Sequence, residues 1–173
     1  LRAADLRFQE VRAATEALVV ALSDEDQCVQ SMPDASPAKW HRAHTTWFFE
    51  TFVLAPHVPG YRPYDPTFGF LFNSYYESVG ARHPRPMRGM LTRPSATEVG
   101  RYRAHVDAAM QDALPHLPQA ALGLVELGLQ HEQQHQELLI TDVLHLFAQS
   151  PLLPAMLPDW RPPPTAAPPT RFV

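Results

Sequence analysis

Two histidines four residues apart lie in His131-Glu132-Gln133-Gln134-His135, and two more, three apart, lie in His41-Arg42-Ala43-His44. On a helix, residues spaced by three or four share one face, with Cβ atoms about 5–6 Å apart, which lets two imidazoles share one metal ion. Ligands that project inward from facing helices are the usual way to build a metal site in a helical bundle. The neighbours point these rings toward an interior: Trp40, Trp47, Phe48 and Phe49 surround the first pair, and Leu138 and Leu139 follow the second. Spacing alone does not choose between His41 and His44.

The string from His131 to His135 also satisfies the H-E-x-x-H pattern of zinc proteases, in which the Glu is a general base. What should follow is missing. Thr141 stands where a metzincin needs its third His, and no Glu occurs after Glu137 to serve as a distant ligand.

The elements that must carry these residues are sketched by proline. There are 19 in 173 residues, and four stretches hold none: 1–32, 38–55, 95–114 and 119–150. Because proline breaks helix interiors, each stretch predicts a helix. In the first, Leu6, Phe8, Val11, Ala14, Leu18, Val19 and Leu22 recur at threes and fours, the period of a one-sided helix, and Ser23-Asp24-Glu25-Asp26 reads as its stop and the cap of a short further turn. Ser36-Pro37 reads as an N-cap hydroxyl and a first-turn proline for a second helix ending near Leu54. Ser95-Ala96-Thr97-Glu98 is a capping box opening the third. The fourth spans about Pro118 to Gln149, roughly 45 Å at 1.5 Å per residue. No period-two pattern competes. The expected fold is all-α, a four-helix bundle over residues 1–150, with a long irregular connection from Ala55 to Pro94 and a Pro-rich tail over 151–173. The apolar run Leu71-Phe72-Asn73-Ser74-Tyr75-Tyr76 should fold over the bundle, and Pro162-Pro163-Pro164 with Pro168-Pro169 favours extended polyproline II.

Composition excludes several functions. With 14 Lys+Arg against 18 Asp+Glu, a net charge of −4, there is no basic stripe for nucleic-acid phosphates. No apolar run approaches the ~18–20 residues of a membrane span, and no basic-then-apolar leader opens the chain, so a cytoplasmic location is expected. The lone Cys28 cannot form an internal disulfide. A first residue of Leu rather than Met points to a longer gene product.

Four segments in order resemble the sulfoxide synthases of ergothioneine biosynthesis: Ser36-Pro37-Ala38-Lys39-Trp40-His41-Arg42-Ala43-His44-Thr45-Thr46-Trp47-Phe48-Phe49-Glu50, the Leu71–Tyr76 run, Arg82-His83-Pro84-Arg85-Pro86-Met87-Arg88-Gly89, and Gln130–Leu139. The resemblance implies a DinB-like four-helix bundle that joins a C-terminal domain similar to the formylglycine-generating enzyme fold. It implies non-haem iron(II) held by His44, His131 and His135, with His41 a structural or supporting group. It further implies that O2 is used to join a cysteine-containing thiol, γ-glutamylcysteine or cysteine, to hercynine. Gln134 corresponds to the glutamine that contacts the hercynine imidazole. Arginines three apart bind the thiol substrate's carboxylates; Arg82 with Arg85 is the favoured pair, and Arg85 with Arg88 has the same spacing. No catalytic residue is assigned within these 173 residues, since the family's catalytic tyrosine belongs to the C-terminal domain, toward which residues 151–173 would be the linker. A selenoneine or ovothiol-type synthase domain, and a stand-alone DinB-like metal-binding thiol transferase or structural bundle, stay open as alternatives.

Overall fold

The residues described by the computed structural model, 2–74, 76 and 80–161, contain six α-helices and no β-strand. The helices are α1 (Arg2–Val19), α2 (Ala38–Phe49), α3 (Ala55–His57), α4 (Phe68–Leu71), α5 (Ala96–Ala113) and α6 (Gln119–Ala148). The long helices α1, α2, α5 and α6 are the four that the proline-free stretches predict. α2 is the hub: it packs on α5 and α6, while α1 packs on α6 and α2. Tyr75 and the prolines from Pro162 onward lie outside the described residues.

Three local details differ from the sequence reading. α1 stops at Val19, and Leu22 is buried from the turn that follows, where its N–H donates to the Val19 carbonyl at 3.0 Å. An apolar period cannot distinguish a last helical turn from a buried turn residue. Ser36 is not the cap of α2. The Pro37 carbonyl accepts the first helical N–H groups, from Trp40 and His41, while the Ser36 hydroxyl takes a tertiary partner, accepting from Arg88 Nη1 at 2.9 Å. Between α2 and α3 the helix widens into a π-turn, Glu50–Leu54. There the buried Glu50 accepts the hydroxyls of Tyr61 and Tyr102, both at 2.7 Å, and the Tyr64 N–H at 3.0 Å, tying the connection to the bundle. The other predicted caps form: Ser95 Oγ accepts the Glu98 N–H, and Ser23 and Asp26 cap each other's N–H groups. The connection to α5 carries α3, α4 and a 3-10 helix at Arg85–Met90, with Phe72, Asn73 and Ser74 buried.

The main core gathers Phe8, Trp47, Phe48, Phe49, Leu54, Tyr102, Met110 and Leu129. Gly128 lets α6 approach α2, because a Cβ there would fall 2.6 Å from Phe49 Cε1. Beside this core lies a buried ionic cluster centred on Glu132. Its Oε2 accepts from Arg12 Nη1 at 2.8 Å; its Oε1 accepts from Arg103 Nη2 at 3.0 Å and from the Thr15 hydroxyl at 2.6 Å. Arg12 continues to Asp107 at 2.7 Å and to Thr46 Oγ1 at 2.8 Å, so α1, α2, α5 and α6 meet in one network. Burial alone would raise the Glu132 pKa, but Arg12 and Arg103 outweigh it and hold the carboxyl at about 2.

Removing one member of a buried charge network leaves the others uncompensated, at a cost of ~3–5 kcal/mol. Glu132→Gln is expected to lower the unfolding free energy, measured by urea titration, by that much. The sign of the pH effect is fixed by a depressed carboxyl pKa: the stabilisation is complete above the ordinary value of 4.5 and lost as pH falls toward about 2. Acid titration of stability should therefore be flatter in Glu132→Gln than in the wild type across that window.

Candidate metal centre

α2 and α6 bring three imidazoles together. The ring of His44 lies 4.9 Å from that of His131 and 4.7 Å from that of His135, and the two α6 rings are 4.6 Å apart. One ring nitrogen from each lies within 4.8 Å of the others, so the three form a group that could hold a metal ion. His44 is clamped between two indoles, with Trp40 stacked at 4.5 Å and Trp47 at 5.5 Å.

The electrostatics favour the coordinating form. Burial pushes the His44 pKa well below its ordinary value, with the neighbouring His131 adding to the effect. Burial lowers His131 to about 4, and burial followed by His44 and His41 lowers His135. All three rings are therefore neutral near pH 7, as metal binding requires. His44 Nδ1–H donates to the Phe72 carbonyl at 2.6 Å, which leaves Nε2 as a lone pair. His131 Nδ1 is buried and meets no hydrogen-bond partner, so no other group in the described residues claims it. An all-imidazole donor set suits zinc, copper, iron or nickel.

Glu132, the would-be general base of a zinc protease, is fully enclosed by Arg12, Arg103 and Thr15 and does not line this cavity. His41 stands next to the group: its Nδ1 lies 2.9 Å from His135 Nδ1, and its Nε2 lies 2.9 Å from Asp142 Oδ2. Burial is the main cause of a lowered His41 pKa.

The three imidazoles open on a cavity of about 570 Å³. Of the predicted substrate residues, Gln134 and Arg85 line it. Arg82 lines a neighbouring cavity, donating to the Ser74 carbonyl at 2.7 Å, while Arg85, Arg88 and Ser74 border both spaces. Arg85 also donates to the Asp34 carbonyl, and the Arg88 guanidinium lies 3.4 Å above the Trp40 ring. Asp142, Ser74 and Tyr76 are lining residues that the sequence reading did not single out for the site. Asp142 had one usable signal: it falls seven residues after His135, two turns further along the same helical face.

His44→Ala, His131→Ala and His135→Ala are each expected to weaken divalent-cation binding by more than the ~10–100-fold typical of losing a supporting residue, with helicity retained. Competition titration against a chromophoric chelator, with circular dichroism alongside, measures both.

A family model described as the DinB superfamily matches residues 7–139. No curated protein matches the chain significantly. That match runs from within α1, through α2 and α5, into α6 past the His131–His135 pair, and by it the chain belongs to the DinB superfamily, which includes metal-dependent enzymes.

Proposed function

We propose that this chain is the iron-binding domain of a non-haem iron(II), O2-dependent sulfoxide synthase of ergothioneine biosynthesis. The observation that carries the reading is one cavity bordered by three neutral imidazoles, two guanidinium groups and a carboxamide: His44, His131 and His135, Arg85 and Arg88, and Gln134. In the overall reaction the thiol S–H and the imidazole C2–H of hercynine are lost, a C–S bond forms, one oxygen atom of O2 goes to sulfur and the other leaves as water. Iron(II), when held by the three histidines, supplies the O2 chemistry; a facial set of three protein ligands leaves positions for substrate and O2.

The chain's own residues do the binding and orienting. Guanidinium forks suit carboxylates because they bind in a bidentate way, which fits Arg85 and Arg88 to an anionic thiol such as γ-glutamylcysteine or cysteine. Arg82, one cavity away, extends the same cationic wall. Gln134, exposed on the rim, can both donate and accept a hydrogen bond, as an imidazole requires. Trp40, Trp47 and Tyr76 cover the histidine side with aromatic surface. Gln134 and Leu138 are exposed at the cavity edge, which supports a reading in which residues 151–173 lead to a second domain that closes the pocket and brings the catalytic tyrosine.

Anaerobic titration of the iron(II)-loaded chain with γ-glutamylcysteine tests the thiol site. Arg85→Ala is expected to weaken thiol binding by about 10–100-fold, the worth of one hydrogen bond to a charged group. Coupling of thiol to hercynine should be very low for these 173 residues alone and restored when the proposed second domain is supplied. Robust turnover by the 173-residue chain overturns the two-domain reading, and failure of iron(II) to bind overturns the whole proposal.

A further inference from the structure

Among the described residues, His41 is the one imidazole on this cavity outside the three-histidine group, and it is held on both sides. Asp142 Oδ2 takes its Nε2 at 2.9 Å and also accepts the Ser36 N–H at 2.8 Å. On the other side, His41 Nδ1 and His135 Nδ1 are 2.9 Å apart. An ionised carboxylate only accepts, so the proton between Asp142 and His41 belongs to His41 Nε2. A neutral imidazole has a single N–H. His41 Nδ1 is then a lone pair, and the proton between the two rings belongs to His135 Nδ1. His135 has thereby used its only N–H, and Nε2 is the nitrogen left to it as a ligand.

We infer that Asp142 and His41 are positioning residues whose hydrogen-bond chain selects the Nδ1–H tautomer of His135 and keeps its Nε2 available to a metal ion. The inference rests on the reading of His44, His131 and His135 as a metal centre. His44 reaches the same state by a shorter route, through the Phe72 carbonyl. The chain also spans the two elements that build the centre, since His41 lies in the first turn of α2, with Ser36 just before that helix, while Asp142 and His135 lie on α6. A carboxylate or carbonyl behind a ligating histidine is the common way to fix its ring and tautomer. Here an additional imidazole is interposed between the carboxylate and the ligand.

The test uses the 173-residue chain with 15N-labelled histidine and cobalt(II) as the probe. In the metal-free wild type, ring-nitrogen NMR is expected to show His135 with its proton on Nδ1. His41→Phe should lose that preference and bind cobalt(II) ~10–100-fold more weakly. His41→Gln, whose carbonyl can accept the His135 N–H, should recover most of the affinity. Asp142→Leu should resemble His41→Phe, while Asp142→Asn, which keeps an acceptor oxygen, should lose less. A His135 protonated on Nε2 in the wild type, or a folded His41→Phe with wild-type cobalt(II) affinity, overturns the inference. Should His41→Phe not fold, the wild-type NMR spectrum and the His41→Gln affinity still decide it. Absence of cobalt(II) binding by the wild type would instead sink the metal-centre reading, while the tautomer of His135 would still be read directly.

Discussion

The buried carboxylate of Glu132 constrains the rest of the structure. An ionised group in a helical core is costly unless every lone pair finds a donor, and here two guanidinium groups and a hydroxyl supply them. Those donors come from α1 and α5, so the position of Glu132 fixes how α6 is rotated about its own axis. Successive residues on an α-helix are about 100° apart, so once Glu132 points into the network, His131 and His135 must point to a neighbouring face. One residue thus sets the direction of two candidate ligands without touching the cavity.

The third candidate ligand is set by a different device. All twelve residues of α2 are buried, although half of them are polar or charged. A helix buried on every side has no solvent face to accept such groups, so each must be met by the protein. Lys39 donates to the Leu91 and Pro94 carbonyls, Arg42 reaches Glu16, Gln27 and the Ala96 carbonyl, and Thr46 receives Arg12. These partners come from α1, the connection, α5 and, through Arg12 and Glu132, from α6. Rotating α2 would break several of them at once. The same constraint that makes α2 expensive to bury therefore holds His44 in place between Trp40 and Trp47.

This division explains what the sequence made visible. Helix starts governed by local chemistry were legible, as at Ser95, where the cap partner Glu98 is three residues away. The Ser36 hydroxyl looked like the same device, but its partner, Arg88, is 52 residues distant and prevailed over the local option. Helical spacing made the α6 pair legible and left His41 and His44 undecided, since both lie on the same face of α2. What separates them is tertiary. His44 meets the two α6 rings, while His41 meets Asp142, which is 101 residues away in sequence. The π-turn at Glu50–Leu54 has no composition of its own; it follows from the demand that Glu50 reach Tyr61, Tyr64 and Tyr102 together.

Arg88 gives the cavity its electrostatic character. It is buried, it lies over Trp40, and its charge adds to burial in lowering the pKa of His44, His41 and His135. A guanidinium beside these imidazoles helps keep protons off His44 and His135, which preserves their lone pairs for a metal ion, yet it also repels that ion. An anion in the same cavity offsets this repulsion and is itself attracted by both charges. Because such coupling is reciprocal, whatever a bound anion adds to metal affinity the metal adds equally to anion affinity. A cavity with neutral imidazoles on one wall and guanidinium groups on another is therefore best matched by a cation and an anion together. The proposed pair, a metal ion with a carboxylate-bearing thiol, has that charge pattern.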